Sequence, residues 1–234
     1  MEAIVLAGGF GTRLQQIVPD LPKPMASIAG RPFLEYVLDR LISTGINNIT
    51  LSVGYKADVI MRHFGNRYRN AVIDYVVENE PLGTGGAISF ALRGKVKESV
   101  LVLNGDTFLN IDYGQLINWY EQKPVAVAMV LREMPDISRY GSVVVAEDCV
   151  TGFVEKGKVG PGLINAGVYI IQPEIFTSFG LVGRFSFETD ILQAHCYKLL
   201  PRAFLTIAYF IDIGLPGDYE RAQYEMPALI SPPS

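Results

Sequence analysis

The chain has 234 residues, and 49% of them are hydrophobic, which is enough to bury the core of one large domain. Its net charge is −4 and its 20 lysines and arginines are scattered, which argues against a nucleic-acid-binding surface. No apolar run reaches the roughly 18 residues of a membrane span, and the first residues lack the features of a signal peptide. We therefore expect a cytoplasmic protein with neither nucleic acid nor membrane as a partner.

In the first half of the chain, apolar runs of strand length alternate with segments of helical periodicity. Strands are predicted at residues 3–7, 49–53, 72–77 and 100–103. Helices are predicted at residues 32–42, 58–64 and about 86–92. This alternation predicts an α/β fold with a Rossmann-like, mostly parallel sheet flanked by helices.

Shorter β segments dominate the second half, which indicates an appended mixed β region rather than a separate domain. These strands are predicted at residues 125–131, 141–146, 152–155 and 164–171, and helices near 174–179, 188–199 and 217–225. We predict a single domain over residues 1–226, with halves 1–123 and 124–226 that share one cleft. The proline- and serine-rich residues 227–234 are predicted to form a frayed tail.

A glycine-rich turn follows the first strand, in the run LAGGFGTRL at residues 6–14, and PKPM follows at residues 22–25. Backbone N–H groups of such a turn bind anions, and Arg13 and Lys23 add two cations, so the pattern predicts a polyphosphate site. The dinucleotide-binding fingerprint is absent, because Leu14 stands where its third glycine belongs. The string GxxxxGK[ST] of NTPase phosphate loops is absent as well.

The run from residue 6 to residue 25 resembles the signature of the sugar-1-phosphate nucleotidyltransferases. Five further motifs follow in that family's order, namely PLGTGGA at 81–87, NGD at 104–106, FVEK at 153–156, NAG at 165–167 and DIG at 212–214. The resemblance implies a GT-A-like nucleotidyltransferase fold with the nucleotide bound by the first half and the sugar phosphate by the second. It also implies a bound divalent cation, Mg²⁺.

Nucleotidyl transfer brings two anions together, because a sugar 1-phosphate attacks the α-phosphorus of an NTP. Such a site needs positive charge and positioning more than a protein nucleophile, so no covalent intermediate is expected. Arg13 is the candidate for the β- and γ-phosphates, and Lys23 for the α-phosphate. Asp106 and Asp212 match the family's metal-binding aspartates, although a turn residue and a buried hydrogen-bonding residue remain the alternatives.

The family's remaining site residues map onto two groups of positions in this sequence. The nucleotide-binding candidates are Leu6, Gly8, Gly9, Gly11, Thr12, Glu78, Pro81, Gly83 and Thr84. The candidates for the sugar phosphate are Gly141, Glu155, Lys156 and Asn165. For Lys156 a solvated surface position, and for Asn165 a turn-forming role, are the alternatives.

Glu78 stands where relatives that use uridine or thymidine nucleotides often have glutamine. A carboxylate accepts both N–H donors on the Watson–Crick edge of guanine, whereas the carbonyls that flank the single N–H of uracil repel it. We therefore hypothesise that the nucleotide is GTP. The alternative is that Glu78 points to solvent and that backbone groups alone contact the base.

The short length of the chain and several of its sequence runs resemble family members that convert D-glycero-α-D-manno-heptose 1-phosphate to GDP-heptose, a precursor of bacterial surface polysaccharides. That resemblance implies GTP and a heptose 1-phosphate as substrates and pyrophosphate as a product. Three alternatives remain: another sugar 1-phosphate with GTP or UTP, a non-catalytic regulatory subunit, and an unrelated oxidoreductase, which the failed fingerprint disfavours. A homo-oligomer is compatible with the sequence, but no segment identifies an interface.

Overall fold

The structure is a computed structural model that describes residues 1–9, 18–93, 98–122 and 124–229. The strands are β1 (Ala3–Leu6), β2 (Ser27–Ile28), β3 (Arg31–Pro32), β4 (Asn48–Val53), β5 (Arg67–Tyr68), β6 (Ala71–Val77), β7 (Val100–Asn104), β8 (Thr107–Leu109), β9 (Val127–Met134), β10 (Ser142–Ala146), β11 (Cys149–Val154), β12 (Gly162–Ile171), β13 (Arg202–Thr206) and β14 (Phe210–Asp212). The α-helices are α1 (Phe33–Ser43), α2 (Ala57–Phe64), α3 (Gly83–Ala91), α4 (Tyr113–Gln122), α5 (Glu174–Ser178), α6 (Cys196–Leu199) and α7 (Pro216–Glu225). In the part of the chain that the structure describes, no helix combines the length and apolar character needed to cross a bilayer.

The predicted α/β fold is confirmed, and the long elements lie within a few residues of their predicted bounds. One predicted element is wrong, because the single helix expected at 188–199 is two helices. The first is a π-helix, Phe187–Gln193, and the second is α6, which begins after His195. A π-helix is rare and short, and a segment of seven residues does not reveal its period in the sequence.

Contacts group the chain into two compact units. The first, here called the N-terminal unit, comprises the described parts of Glu2–Pro81, Asn104–Gly114 and Tyr209–Ser234. The second, here called the central unit, comprises the described parts of Leu82–Leu103 and Gln115–Ala208, and it also includes Met1. The single domain and its division near residue 123 stay predictions.

Parallel strands organise the N-terminal unit. Strand β4 pairs in parallel with β1 on one side and with β6 on the other, and β5 is antiparallel to β6. Strand β4 is almost wholly buried, which is why its sequence is a continuous apolar run rather than an alternating one. Helix α1 begins after Pro32, whose fixed φ suits a helix start, and it buries one apolar face.

The central unit contains the predicted mixed β region. Its strands pair in the order β10, β11, β13, β9 and β12, and β12 also pairs with β10, so these five strands close on themselves. The β9–β13 pairing is parallel, whereas β12 is antiparallel to β9, to β10 and to β7. Closure fixes the ends of β10, β11 and β12 beside one another.

The glycines at the start of α3 permit a close backbone approach within the central unit. Gly83 has φ +69°, and a Cβ there would lie 2.5 Å from the carbonyl oxygen of Phe185. Side chains at Gly85 and Gly86 would collide with Phe185 and Gly183. The N–H groups of Gly85 and Gly86 donate to the carbonyl oxygen of Phe185 at 3.0 and 3.2 Å. These glycines therefore bind the chain segment that enters the π-helix.

We expect Gly83→Ala to lower the free energy of unfolding by at least about 2 kcal/mol, from the positive φ and from the collision with Phe185. Gly180→Ala is the matched control, because Gly180 has φ +63° with open space around its Cβ position. The difference between the two variants in urea unfolding isolates the cost of the collision. Equal losses of unfolding free energy in the two variants would show that the close approach to Phe185 adds no cost to the substitution.

Candidate active site

An ion-pair cluster joins three distant segments of the N-terminal unit. The Nζ atom of Lys23 lies 2.7 Å from Oδ2 of Asp106 and 3.3 Å from Oδ1 of Asp212. The lysine side chain is only 9% exposed, whereas the two aspartates are 41% and 36% exposed. The cluster thus consists of a largely buried cation and two carboxylates that solvent and ligands can reach.

The backbone around each charged residue is fixed by local structure. Lys23 opens a one-turn 3₁₀-helix, Lys23–Met25, which Pro22 and Pro24 stiffen. Asp106 lies in the turn between β7 and β8. Asp212 ends β14, and it pairs with Thr107 of β8 in the antiparallel ladder. The β8–β14 ladder therefore holds the two aspartates side by side.

Gly214 is a site residue that the sequence motif contained but to which no role was assigned. A Cβ at this position would lie 2.7 Å from Nζ of Lys23 and 2.8 Å from Oδ1 of Asp212. Its N–H donates to the same Asp212 oxygen at 2.7 Å. Any side chain here would displace the lysine, which is the physical reason for glycine.

The donor set of this cluster suits a hard divalent cation that is bound partly by substrate. Carboxylate oxygens are preferred ligands of Mg²⁺, which is commonly held by one or two carboxylates plus phosphates and water. Among the residues that the structure describes, no group of three or more acidic, histidine or cysteine side chains is placed to hold a metal. The cluster therefore offers two carboxylates.

A second feature of the N-terminal unit is a cavity of about 140 Å³. Its lining residues are Gly8, Gly54, Tyr55, Glu78, Asn79, Glu80 and Pro81. The half-buried Glu78 accepts a hydrogen bond at Oε1 from Oγ of Ser52, at 2.9 Å, and Ser52 is fully buried. The carboxylate is thus anchored at the cavity wall and does not extend into bulk solvent.

Glycine is required at the floor of this cavity. A Cβ at Gly8 would lie 2.8 Å from Oε1 of Glu78 and 3.2 Å from the backbone nitrogen of Gly54. Gly9, in contrast, has open space around its Cβ position.

The carbonyl oxygen of Leu6 accepts from the N–H of Gly105 at 2.9 Å, which ties β1 to the turn before Asp106. The predicted residues Gly11, Thr12 and Arg13 lie outside the described residues.

The predicted sugar-phosphate residues lie in the central unit, at adjacent strand ends. Ser142 of β10 pairs with Val154 of β11 and with Ile164 of β12. One residue farther along the three strands are Gly141, Glu155 and Asn165, so the register places them in one row. Lys156 follows Glu155, and both side chains are exposed.

Asn165 also belongs to a hydrogen-bond chain inside this unit. Its Oδ1 accepts from the N–H of Gly167 at 3.0 Å, and its Nδ2 donates to the hydroxyl of Tyr169 at 2.6 Å. Tyr169 is fully buried, and burial together with the charge of Glu188 raises its pKa well above the ordinary value. The phenol is therefore a protonated donor throughout the physiological pH range.

A parallel sheet with charged side chains in the segments after its strands is typical of α/β proteins that bind ligands at the carboxyl ends of their strands. The chain matches the Nucleotidyl transferase family over residues 2–228, and it belongs to that family. It is 43% identical to the D-glycero-α-D-manno-heptose 1-phosphate guanylyltransferase of Aneurinibacillus thermoaerophilus, over 97% of this chain and 98% of that protein. It is 46% identical to the protein of the same name from Campylobacter jejuni, over 94% and 97% of the two chains.

Solved structures agree with these sequence relatives. The crystal structure of HddC from Yersinia pseudotuberculosis complexed with GMP-PN superposes on this chain with a TM-score of 0.84, and the two sequences are 40% identical. The similarity covers 95% of this chain and 97% of that one. The predicted membership of the nucleotidyltransferase family is confirmed.

We expect Lys23→Met to lower the free energy of unfolding by about 1 kcal/mol in EDTA, because two carboxylates lose their shared cation. Adding Asp106→Asn should restore stability, since one of the two repelling charges is then gone. Lys56→Met serves as a control, because Lys56 contacts a backbone carbonyl at the surface. A double variant less stable than Lys23→Met alone would contradict the electrostatic account.

Proposed function

We propose that this protein transfers GMP from GTP to D-glycero-α-D-manno-heptose 1-phosphate, which gives GDP-heptose and pyrophosphate. The observation that carries the proposal is the Lys23 cluster, in which one buried ammonium and two accessible carboxylates converge. The names of the two relatives that this chain covers almost completely support the choice of nucleotide and sugar. We place the reaction in the cytoplasm, where GTP is available.

The reaction requires charge compensation rather than a protein nucleophile. An oxygen of the sugar 1-phosphate forms a bond to the α-phosphorus of GTP, and the bond from that phosphorus to the bridging oxygen breaks. The electron pair leaves with pyrophosphate, so no group of the protein is modified. On the basis of the family pattern, we assign Lys23 to the α-phosphate and Arg13 to the β- and γ-phosphates.

Members of this family generally use a divalent metal, and we propose Mg²⁺ here. Asp106 and Asp212 would hold it, and phosphate oxygens and water would complete its coordination. The ion would supply positive charge at the reacting phosphates. Lys23, already in contact with both aspartates, would keep the carboxylates in place as ligands.

The cavity around Glu78 is the proposed guanine site. A carboxylate has only acceptors, which matches the two N–H donors of guanine on its Watson–Crick edge. Ser52 holds Oε1 of Glu78, and Gly8 leaves room for the carboxylate beside the strand end. Pro81 ends the cavity wall just before the predicted nucleotide-binding residues Gly83 and Thr84.

The row formed by Gly141, Glu155 and Asn165, together with Lys156, is the proposed site for the sugar phosphate. Lys156 would pair with the phosphate, and the amide of Asn165 and the carboxylate of Glu155 would contact hydroxyls. Gly141 would allow the ring to approach the backbone. These roles follow the family's pattern and agree with the shared strand register.

Pyrophosphate release tests the proposed function directly. GTP, UTP, dTTP, CTP and ATP are each combined with heptose and hexose 1-phosphates, with Mg²⁺ or with EDTA. We expect turnover with GTP and the heptose, loss of turnover in EDTA, and at least about a hundredfold lower kcat in Asp106→Asn. A clear preference for UTP would exclude the guanylyltransferase assignment, and binding without turnover would indicate a regulatory subunit.

We expect Glu78→Gln to lower kcat/KM for GTP by about 10- to 100-fold, because the amide replaces one acceptor oxygen with a donor. The ratio of GTP to UTP turnover should fall with it. Glu80→Gln is the matched control, since Glu80 lines the same cavity but is exposed. If both variants keep the wild-type GTP to UTP ratio, backbone groups alone select the base.

A further inference from the structure

Glu188 lies at the centre of a hydrogen-bond network in the central unit. Its Oε2 accepts from Oγ1 of Thr84 at 2.5 Å and from Oγ of Ser186 at 3.1 Å. Its Oε1 accepts from the hydroxyl of Tyr169 at 3.2 Å. The described partners of this half-buried carboxylate are thus three hydroxyls, and none of them is a cation.

A backbone N–H group fixes the orientation of the Asn165 amide at one end of this network. The N–H of Gly167 fixes Oδ1 of Asn165, so the amide nitrogen must face Tyr169. The hydroxyl of Tyr169 therefore accepts from Asn165 and donates to Glu188. Glu188 thus accepts from Tyr169 on one carboxylate oxygen and from Thr84 on the other.

The second arm of the network holds the start of α3. Oγ1 of Thr84 donates to Glu188 and accepts from the N–H of Phe187 at 2.9 Å, so its orientation is fixed as well. Glu188 lies in the first turn of the π-helix, and such helices are frequent at functional sites. The wider turn is the local feature that distinguishes this segment from an ordinary helix.

A purely structural explanation accounts for part of the geometry. Ser186 caps the π-helix, because its Oγ accepts from the N–H of Thr189 at 3.2 Å, and an acidic residue in the first turn is favourable. A cap does not, however, require bonds to Thr84 and Tyr169, which belong to α3 and β12. Both elements carry predicted substrate-binding residues.

We propose that Glu188 is a positioning residue that orients Thr84 for the nucleotide through one carboxylate oxygen and Asn165 for the sugar phosphate through the other, with Tyr169 as the intermediate. This inference rests on the proposed function for the identity of the two substrates. A single side chain then sets the geometry of residues that contact different reactants. Neither substrate needs to touch Glu188 itself.

The test compares three conservative variants, using the nucleotide and sugar 1-phosphate that the wild type turns over fastest. Glu188→Gln should raise KM for both substrates about tenfold. The NH₂ group of glutamine would face the hydroxyl of Tyr169 or of Thr84, and each of these hydroxyls already accepts a hydrogen bond from another N–H group. Tyr169→Phe should raise KM for the sugar 1-phosphate and leave KM for the nucleotide unchanged. Thr84→Val should do the reverse.

Asp190→Asn is the matched control. Asp190 accepts from the N–H of Ser186 at 2.7 Å, so this variant weakens the same helix start without touching Glu188. We expect reduced thermal stability and unchanged KM values. The inference is overturned if Glu188→Gln behaves like Asp190→Asn, or if Tyr169→Phe changes both KM values equally.

The proposed function and this inference fail separately. If the wild type prefers another nucleotide or sugar, the proposed function is wrong and the three variants are measured with the preferred pair. If the wild type turns over no pair, calorimetric dissociation constants for GTP and for the heptose 1-phosphate replace KM. Selective weakening of one ligand in Tyr169→Phe and of the other in Thr84→Val would still support the positioning role, and its absence would refute it.

Discussion

The Lys23 cluster imposes the main constraint on the N-terminal unit. Two carboxylates with a shared ammonium carry a net negative charge, and one of them would repel the other without that cation. Because the aspartates remain partly exposed, the attraction is screened and contributes little to stability by itself. Its importance is geometric. Residues 23, 106 and 212 must meet, so the 3₁₀-helix Lys23–Met25, the turn after β7 and the β8–β14 ladder must all be correctly formed.

Close backbone approach is the second requirement, and glycine meets it at several sites for different reasons. Gly214 makes room for an ammonium group, and Gly8 makes room for a carboxylate. Gly83 combines a positive φ with a close approach to the carbonyl oxygen of Phe185, so two separate costs would attend any substitution. The family motif around residue 83 thus has a structural basis inside the protein, besides any contact with a base.

The sequence predicted those elements whose signal is local. Strand β4 is an uninterrupted apolar run, and α1 has apolar residues at helical spacing, so both were predicted almost to the residue. Strands β8 and β14 have three residues each and were not predicted, because such a length carries no period. Tertiary pairing alone creates them, and that pairing is what sets Asp212 opposite Thr107.

The same distinction separates the site residues that motifs revealed from those that they did not. Lys23, Asp106 and Asp212 stand in short recognisable strings, so their proximity was predictable from the family pattern. Ser52 and Glu188 form hydrogen bonds with residues 26 and 104 positions away, Glu78 and Thr84, and no local pattern marks such pairs. These pairs become visible only in the folded chain, where one polar side chain restricts the orientation of a predicted ligand-binding residue.

Carboxylates occur in this protein in three settings that suit three different tasks. Asp106 and Asp212 share a cation and stay accessible, which suits ligands for a metal. Glu78 has one oxygen tied to a buried serine at a cavity wall, which suits recognition of N–H donors. Glu188 receives three hydroxyls on its two oxygens, which leaves little capacity for a ligand but fixes its neighbours. The number and charge of the partners, rather than the carboxyl group itself, are therefore the basis on which metal binding, recognition and positioning are proposed for these residues.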